Sequence, residues 1–252
     1  MSNRGSTDKS TKATHRDGDD RKFFVGFAAL LGFLVLAGFV PSSMARIDAG
    51  SFESVHILHG VTFLLWYMLF FSQALLIRNR NVKLHMTIGS VSIFLVVAMV
   101  VTGALVMQKA WLDGTTGDPS MTPAQFIVFP FSDLLLFSFF YGMAILFRKK
   151  ADVHKRFIVL AGLLMMGAAL SRVVDTLGLS PQLVGPLVLT LFIILVVYDW
   201  RTLRRVHPVT IIGFVLLILR VVAAFTLAVT PEWEAFVSWM LGPYTGAPHI
   251  IS

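Results

Sequence analysis

The sequence predicts an all-α, polytopic membrane protein: a seven-transmembrane-helix bundle with its N-terminus in and its C-terminus out. Three observations carry this expectation. Composition is 56% hydrophobic and 14% charged over 252 residues, with a mean hydropathy of +0.77. The charged share is about half that of a usual globular domain. Seven nearly uncharged apolar runs follow one another: Phe23–Val40, Ser54–Ile77, His85–Met107, Gln125–Phe147, Arg156–Leu177, Pro181–Trp200 and Val209–Val229. Each reaches the roughly 18 residues that a spanning helix needs, and the alternating patches of about ten residues that mark a membrane β-barrel are absent. The basic residues also segregate. Of 21 Lys and Arg, six lie in the N-terminal tail, three in Arg78–Lys83, five in Arg148–Arg156 and three in Arg201–Arg205. Seven spans put all seventeen on one side, against only Arg46 and Lys109 on the other, with Arg172 and Arg220 inside the spans. Such a bias makes the basic side cytoplasmic.

The elements follow in order. Residues 1–22 are polar and mixed in charge, which predicts a disordered cytoplasmic tail. The first apolar run begins too late for a cleaved secretory signal, so it serves as an uncleaved insertion signal. The seven-helix domain covers 23–230. Asp113–Gly114 and Gly117–Asp118–Pro119 form an external turn region. Thr122–Pro123–Ala124–Gln125 reads as an N-cap with proline at the first helical position. Residues 231–252 form an external interfacial helix and tail, with Trp233, Phe236, Val237 and Met240 in the interface and Trp239 and Tyr244 in the outer aromatic belt. Tyr198 and Trp200 occupy the inner belt.

The chain has no cysteine, which excludes disulfides, iron–sulfur clusters and thiolate metal sites. The net charge of +7 is a topology signal. Nucleic-acid binding needs a soluble basic face, and none exists here.

Five polar residues stand out inside apolar runs: His56, His59, Asp133, Arg172 and Asp175. A charge at the centre of a membrane helix costs roughly 2.5–3.5 kcal/mol, so such groups face a bundle interior or a cavity. Counting about 1.5 Å per residue along each run puts all five in the outer third of the bilayer. On the second run His56, His59, Phe63, Trp66, Phe70 and Gln73 share one face. Two readings stand. Asp133 and Arg172 form a packing ion pair helped by the histidines, or the five residues line an outward-facing pocket for a divalent metal or small ligand, or for proton relay. Arg220 is a further lone charge, with Asp133 nearest in depth.

A repeat marks the cytoplasmic turns. RNRNVKLHMTIG from Arg78, RKKADVHKRF from Arg148 and RTLRRVHP from Arg201 each lead from basic residues to a histidine and the next apolar run. His85, His154 and His207 are thereby equivalent. They read either as interfacial turn residues or as a metal site or haem b ligands, with a single haem between His85 and His154 as the concrete form.

Several seven-helix families can be tested by their residues. A retinal protein needs a lysine in the last run, and the seven-helix zinc hydrolases and receptors need an HxxxH pair there. Both are missing. Histidines on one helix alone at the outer side disfavour a two-haem cytochrome b. His56-x-x-His59-Gly60, Gln73, Leu84-His85-x-x-x-Gly89, Asp133, Asp152-Val153-His154-Lys155-Arg156 and Arg172 together resemble a bacterial predicted-membrane-protein family with a domain of unknown function, over roughly residues 54–177. The resemblance implies a multi-pass protein of the bacterial inner membrane and no reaction. Three function classes remain: a protein binding a metal, haem or small ligand, a proton-coupled transporter, and an accessory scaffold of a membrane complex. The lipid bilayer is the partner common to all three.

Overall fold

The computed structural model describes residues 4–48, 50, 53–116 and 120–244, with side chains of the first helix from Asp19 onward. Among these, the chain forms nine α-helices: α1 (Arg4–Asp48), α2 (Ser54–Arg78), α3 (Val82–Leu112), α4 (Pro123–Leu146), α5 (Ala151–Leu164), α6 (Met166–Thr176), α7 (Val184–Leu203, entered through a 3-10 turn at Pro181–Leu183), α8 (Pro208–Thr226) and α9 (Pro231–Leu241). Counting α5 with α6 and the 3-10 turn with α7, seven stretches are long and apolar enough to cross a membrane. The chain is a multi-pass membrane protein. Its lipid-type surface is visible in residues such as Phe94 and Phe225, which are 73% and 74% exposed.

The α5–α6 span is the hub. It is 67% buried across its most apolar window, whereas the other spans reach 22–33%. Phe157, Leu160, Leu163 and Leu164 of α5 meet Leu31 of α1, Phe137 and Phe140 of α4, and Phe192 and Leu195 of α7. Small residues let backbones approach: a Cβ on Gly38 of α1 would collide with the Ala169 carbonyl of α6.

Three expectations change. The fifth segment, expected as one helix over Arg156–Leu177, breaks at Met165. Tyr67 Oη donates to the Gly162 carbonyl at 2.8 Å. In an unbroken helix that carbonyl would accept from the Met166 N–H, so a side chain entering the ladder bends the helix there. The first helix begins at Arg4 instead of after a disordered 1–22 tail. Its Asp20 is tied down, accepting from Tyr198 Oη at 2.6 Å and from Lys155 Nζ at 3.2 Å. Tyr198 is thereby buried and leaves the inner aromatic belt. Finally, α9 docks on the protein. Trp233, Val237 and Leu241 pack with Met107, Trp111 and Ile127, and Trp233 Nε1 donates to the Ala124 carbonyl at 2.7 Å. Trp239, 81% exposed, carries the outward face. The expected turn at Gly117–Asp118–Pro119 and the tail after Tyr244 lie outside the described residues. The Thr122–Gln125 capping box forms with both of its hydrogen bonds.

Candidate functional site

The helical repeat puts His56, His59, Trp66 and Gln73 on one face of α2, interleaved with Phe63 and Phe70. From His56 to Gln73 is 17 residue steps along α2, about 25 Å of rise, close to the roughly 30 Å hydrocarbon thickness. His59 stacks beside Phe63 with ring centroids 4.2 Å apart, and Trp66 meets Phe137 edge-on at 5.0 Å. Polar atoms on this face have no hydrogen-bond partner: His56 Nδ1, His59 Nδ1, Trp66 Nε1, and both Oε1 and Nε2 of Gln73. Buried polar groups are normally paired, so a run of orphans calls for an explanation.

Asp133 of α4 adds another such atom, Oδ1. That oxygen nonetheless lies 2.7 Å from Arg220 Nη2 of α8, in an ion pair that supplies its partner. The two side chains are 13% and 14% exposed. Arg220 Nε donates to Ser132 Oγ at 3.0 Å. Tyr67 of α2 lies within the electrostatic reach of Asp133.

The expected Asp133–Arg172 pair does not form. Arg172 lies over the Phe39 ring of α1 at 4.3 Å and donates to the Ala168 carbonyl at 2.9 Å, while Asp175 is exposed. His56, His59 and Arg172 remain electrostatic neighbours. The five-residue cluster therefore divides, and among the described residues no three His, Asp or Glu side chains converge on one point for a metal ion. At the α2 N-terminus a pocket opens between Arg46, Glu53, His56, Lys109, Asp113 and Thr115. Lys109 Nζ spans it, 3.1 Å from Glu53 and 2.7 Å from Asp113.

At the opposite, basic end, His85 of α3 and His154 of α5 come together with ring centroids 6.3 Å apart and planes at 88°. His154 Nδ1 bonds to the Ala144 carbonyl at 2.8 Å. His207 does not complete a trio. Its Nδ1 accepts the Val209 N–H at 3.2 Å as the N-cap of α8, and its own N–H donates to Asp199 Oδ2 at 3.1 Å. Burial first, then the Arg156 guanidinium, hold the His207 imidazole below the usual histidine range.

Sequence reasoning counts Arg156 among turn charges and gives Asp199 no role, yet these are the most buried ionised groups described here. They are 1% and 0% exposed. Asp199 Oδ1 accepts from Arg156 Nε at 2.9 Å and Nη2 at 2.5 Å, and Oδ2 accepts from Thr210 Oγ1 at 2.6 Å. Arg156 Nη1 donates to the Asp152 carbonyl at 2.8 Å. One carboxylate thus joins α5, α7 and α8. No family model, curated protein or solved structure matches the chain.

Proposed function

We propose that this chain is a proton-translocating carrier of the bacterial inner membrane, with the α2 face as its pathway and the basic end in the cytoplasm. The observation that carries the reading is the contrast between two sets of buried polar groups. A scaffold would pair all of them, as the Arg156–Asp199 network does with all three guanidinium nitrogens and both carboxylate oxygens engaged. Along the α2 face they are left open at every depth. Each unmade bond costs about 1–3 kcal/mol. The five such atoms on α2 would together rival the roughly 5–15 kcal/mol that stabilises a whole fold. Groups of this kind serve water or solute inside the membrane. Asp133, a carboxylate beside Arg220 at the middle of the path, is the proton-bearing group, and the pocket around His56 is the entry. The motifs that carry the family resemblance contribute His56, His59, Gln73, His85 and Asp133 to this same path.

The test is proton flux in liposomes holding a pH-sensitive dye, driven by a potassium diffusion potential. Wild-type protein is expected to conduct above empty liposomes. Asp133→Asn and Gln73→Leu should each remove most of that flux, and His207→Asn should retain it. Flux equal to that of empty liposomes at both polarities sinks the carrier reading.

A further inference from the structure

We infer that His85 and His154 form an imidazole-ligated metal site at the basic end of the bundle, with the Gln73 amide oxygen beside it. It accepts a borderline transition metal, either as a bare divalent ion or as the iron of a haem.

The placement follows from the helices. His85 is the fourth residue of α3 and His154 the fourth of α5, so both stand one turn inside the same end of the bundle. Gly89 shares the His85 face of α3, one turn further on. Gln73 Oε1 lies 3.7 Å from where a Cβ on Gly89 would stand, and the Gln73 backbone is within hydrogen-bonding reach of the His85 ring. The amide and both imidazoles therefore gather between α2, α3 and α5.

The chemistry of the donors then selects the ligand. A backbone carbonyl only accepts, so His154 Nδ1 carries a proton and Nε2 is the nitrogen left to meet a metal. This carbonyl–histidine arrangement is the one that orients a metal-binding ring and fixes its tautomer. The His85 Nδ1 and both Gln73 side-chain atoms are buried with no partner. Imidazole nitrogens sit about 2.0–2.1 Å from an ion, which places two ring centres roughly 5–6.5 Å apart from tetrahedral to linear geometry. The observed 6.3 Å falls in that range. No carboxylate joins the pair, since no three metal-binding side chains of the His, Asp or Glu kind converge among the described residues. Two imidazoles and an amide leave coordination positions open, as an exchangeable ion or a haem iron requires. The site shares Gln73 and His85 with the proposed proton path, but its readout is metal or haem absorption and is separate from flux.

The experiment uses full-length protein carrying a non-histidine affinity tag, purified from membranes. A Soret band identifies haem. Without one, chelator-stripped protein is titrated with Co²⁺ and followed by its ligand-field absorption. One centre per chain is expected by one of these two measures. His85→Gln and His154→Gln should each lower Co²⁺ affinity at least tenfold, or remove the Soret band, while His207→Asn leaves binding unchanged. Should the two variants fail to fold, modification of wild-type histidines by diethyl pyrocarbonate, mapped by mass spectrometry, replaces them. Co²⁺ or haem must then protect His85 and His154 and leave His207 reactive. Wild-type protein with no Soret band and no Co²⁺ absorption overturns the inference. So does binding untouched by both substitutions, or protection that omits the two histidines.

Discussion

Removing one member of the Arg156–Asp199 pair should be the most damaging single change in the bundle. Arg156→Met leaves Asp199 fully buried with two remaining donors, Thr210 Oγ1 and the His207 N–H. Asp199→Asn leaves a buried guanidinium whose remaining hydrogen bond is to the Asp152 carbonyl, with the Asp152 carboxylate 3.9 Å away. Breaking a buried pair in this way costs about 3–5 kcal/mol. At roughly 2–4 °C per kcal/mol for a chain of this size, each single variant should melt about 6–20 °C below wild type. The double variant should recover most of that loss. Its Asn oxygen still accepts from Thr210 and His207, and no uncompensated charge remains. The assay is tryptophan fluorescence during a thermal ramp in detergent, read as a double-mutant cycle. Losses that simply add in the double variant, or single variants within about 2 °C of wild type, would refute the reasoning.

Two further outcomes follow from the basic end. The His207 imidazole caps α8 through an unprotonated Nδ1 and is held neutral by burial and by Arg156. Its contribution is therefore present above the ordinary histidine value of about 6.5 and is lost as pH falls below it. An N-cap is worth about 1 kcal/mol, so melting should drop by about 2–4 °C on acidification. His207→Asn, which keeps a capping acceptor, should lose that share of the pH dependence, and an unchanged slope would refute the cap. For topology, reporter fusions after Trp200 should be cytoplasmic and those after Ser252 external, given seventeen basic residues on one side against two on the other. Both fusions on one side would remove the inside–outside assignment.

The spans were legible because lipid imposes length and apolarity on each segment independently of its neighbours. Caps were legible for a similar reason, since Thr122 and Gln125 act within four residues. What sequence depth could not supply was facing. Asp133 lies within about one helical turn of Arg172 in height, but ion pairing is decided by azimuth. On α8 the buried residues Thr210, Gly213 and Leu217 recur at spacings of three and four, and Arg220 continues that stripe toward α4. On α6 the stripe is Met166, Ala169, Leu170 and Val174. Arg172 stands off it, against Phe39 of α1. The same period exposes the missed pair. The α7 stripe runs Val188, Leu191, Phe192, Leu195, Tyr198 and Asp199, so Asp199 sits seven residues after Phe192 on the apolar side. An acid there must meet a cation from another helix or fail to insert.

The difference between Asp199 and the α2 face is also what separates a fixed element from a working one. Asp199 has all of its acceptor capacity engaged by α5, α7 and α8, so moving any of these helices breaks several short bonds at once. That end of α8 is pinned. Near its other end α8 holds Asp133 through one ion pair at 2.7 Å, and Ser132 adds a single bond to Arg220. Less is lost when that end shifts. Helix α8 is therefore expected to pivot about its pinned basic end, opening and closing the Asp133–Arg220 contact beside the proposed α2 path. Breaking that contact would free a carboxylate within electrostatic reach of Tyr67 of α2, the step that the proposed proton carrier requires. The test proposed for flux reads this directly, because Asp133→Asn keeps the shape of the contact while removing the group that can take the proton.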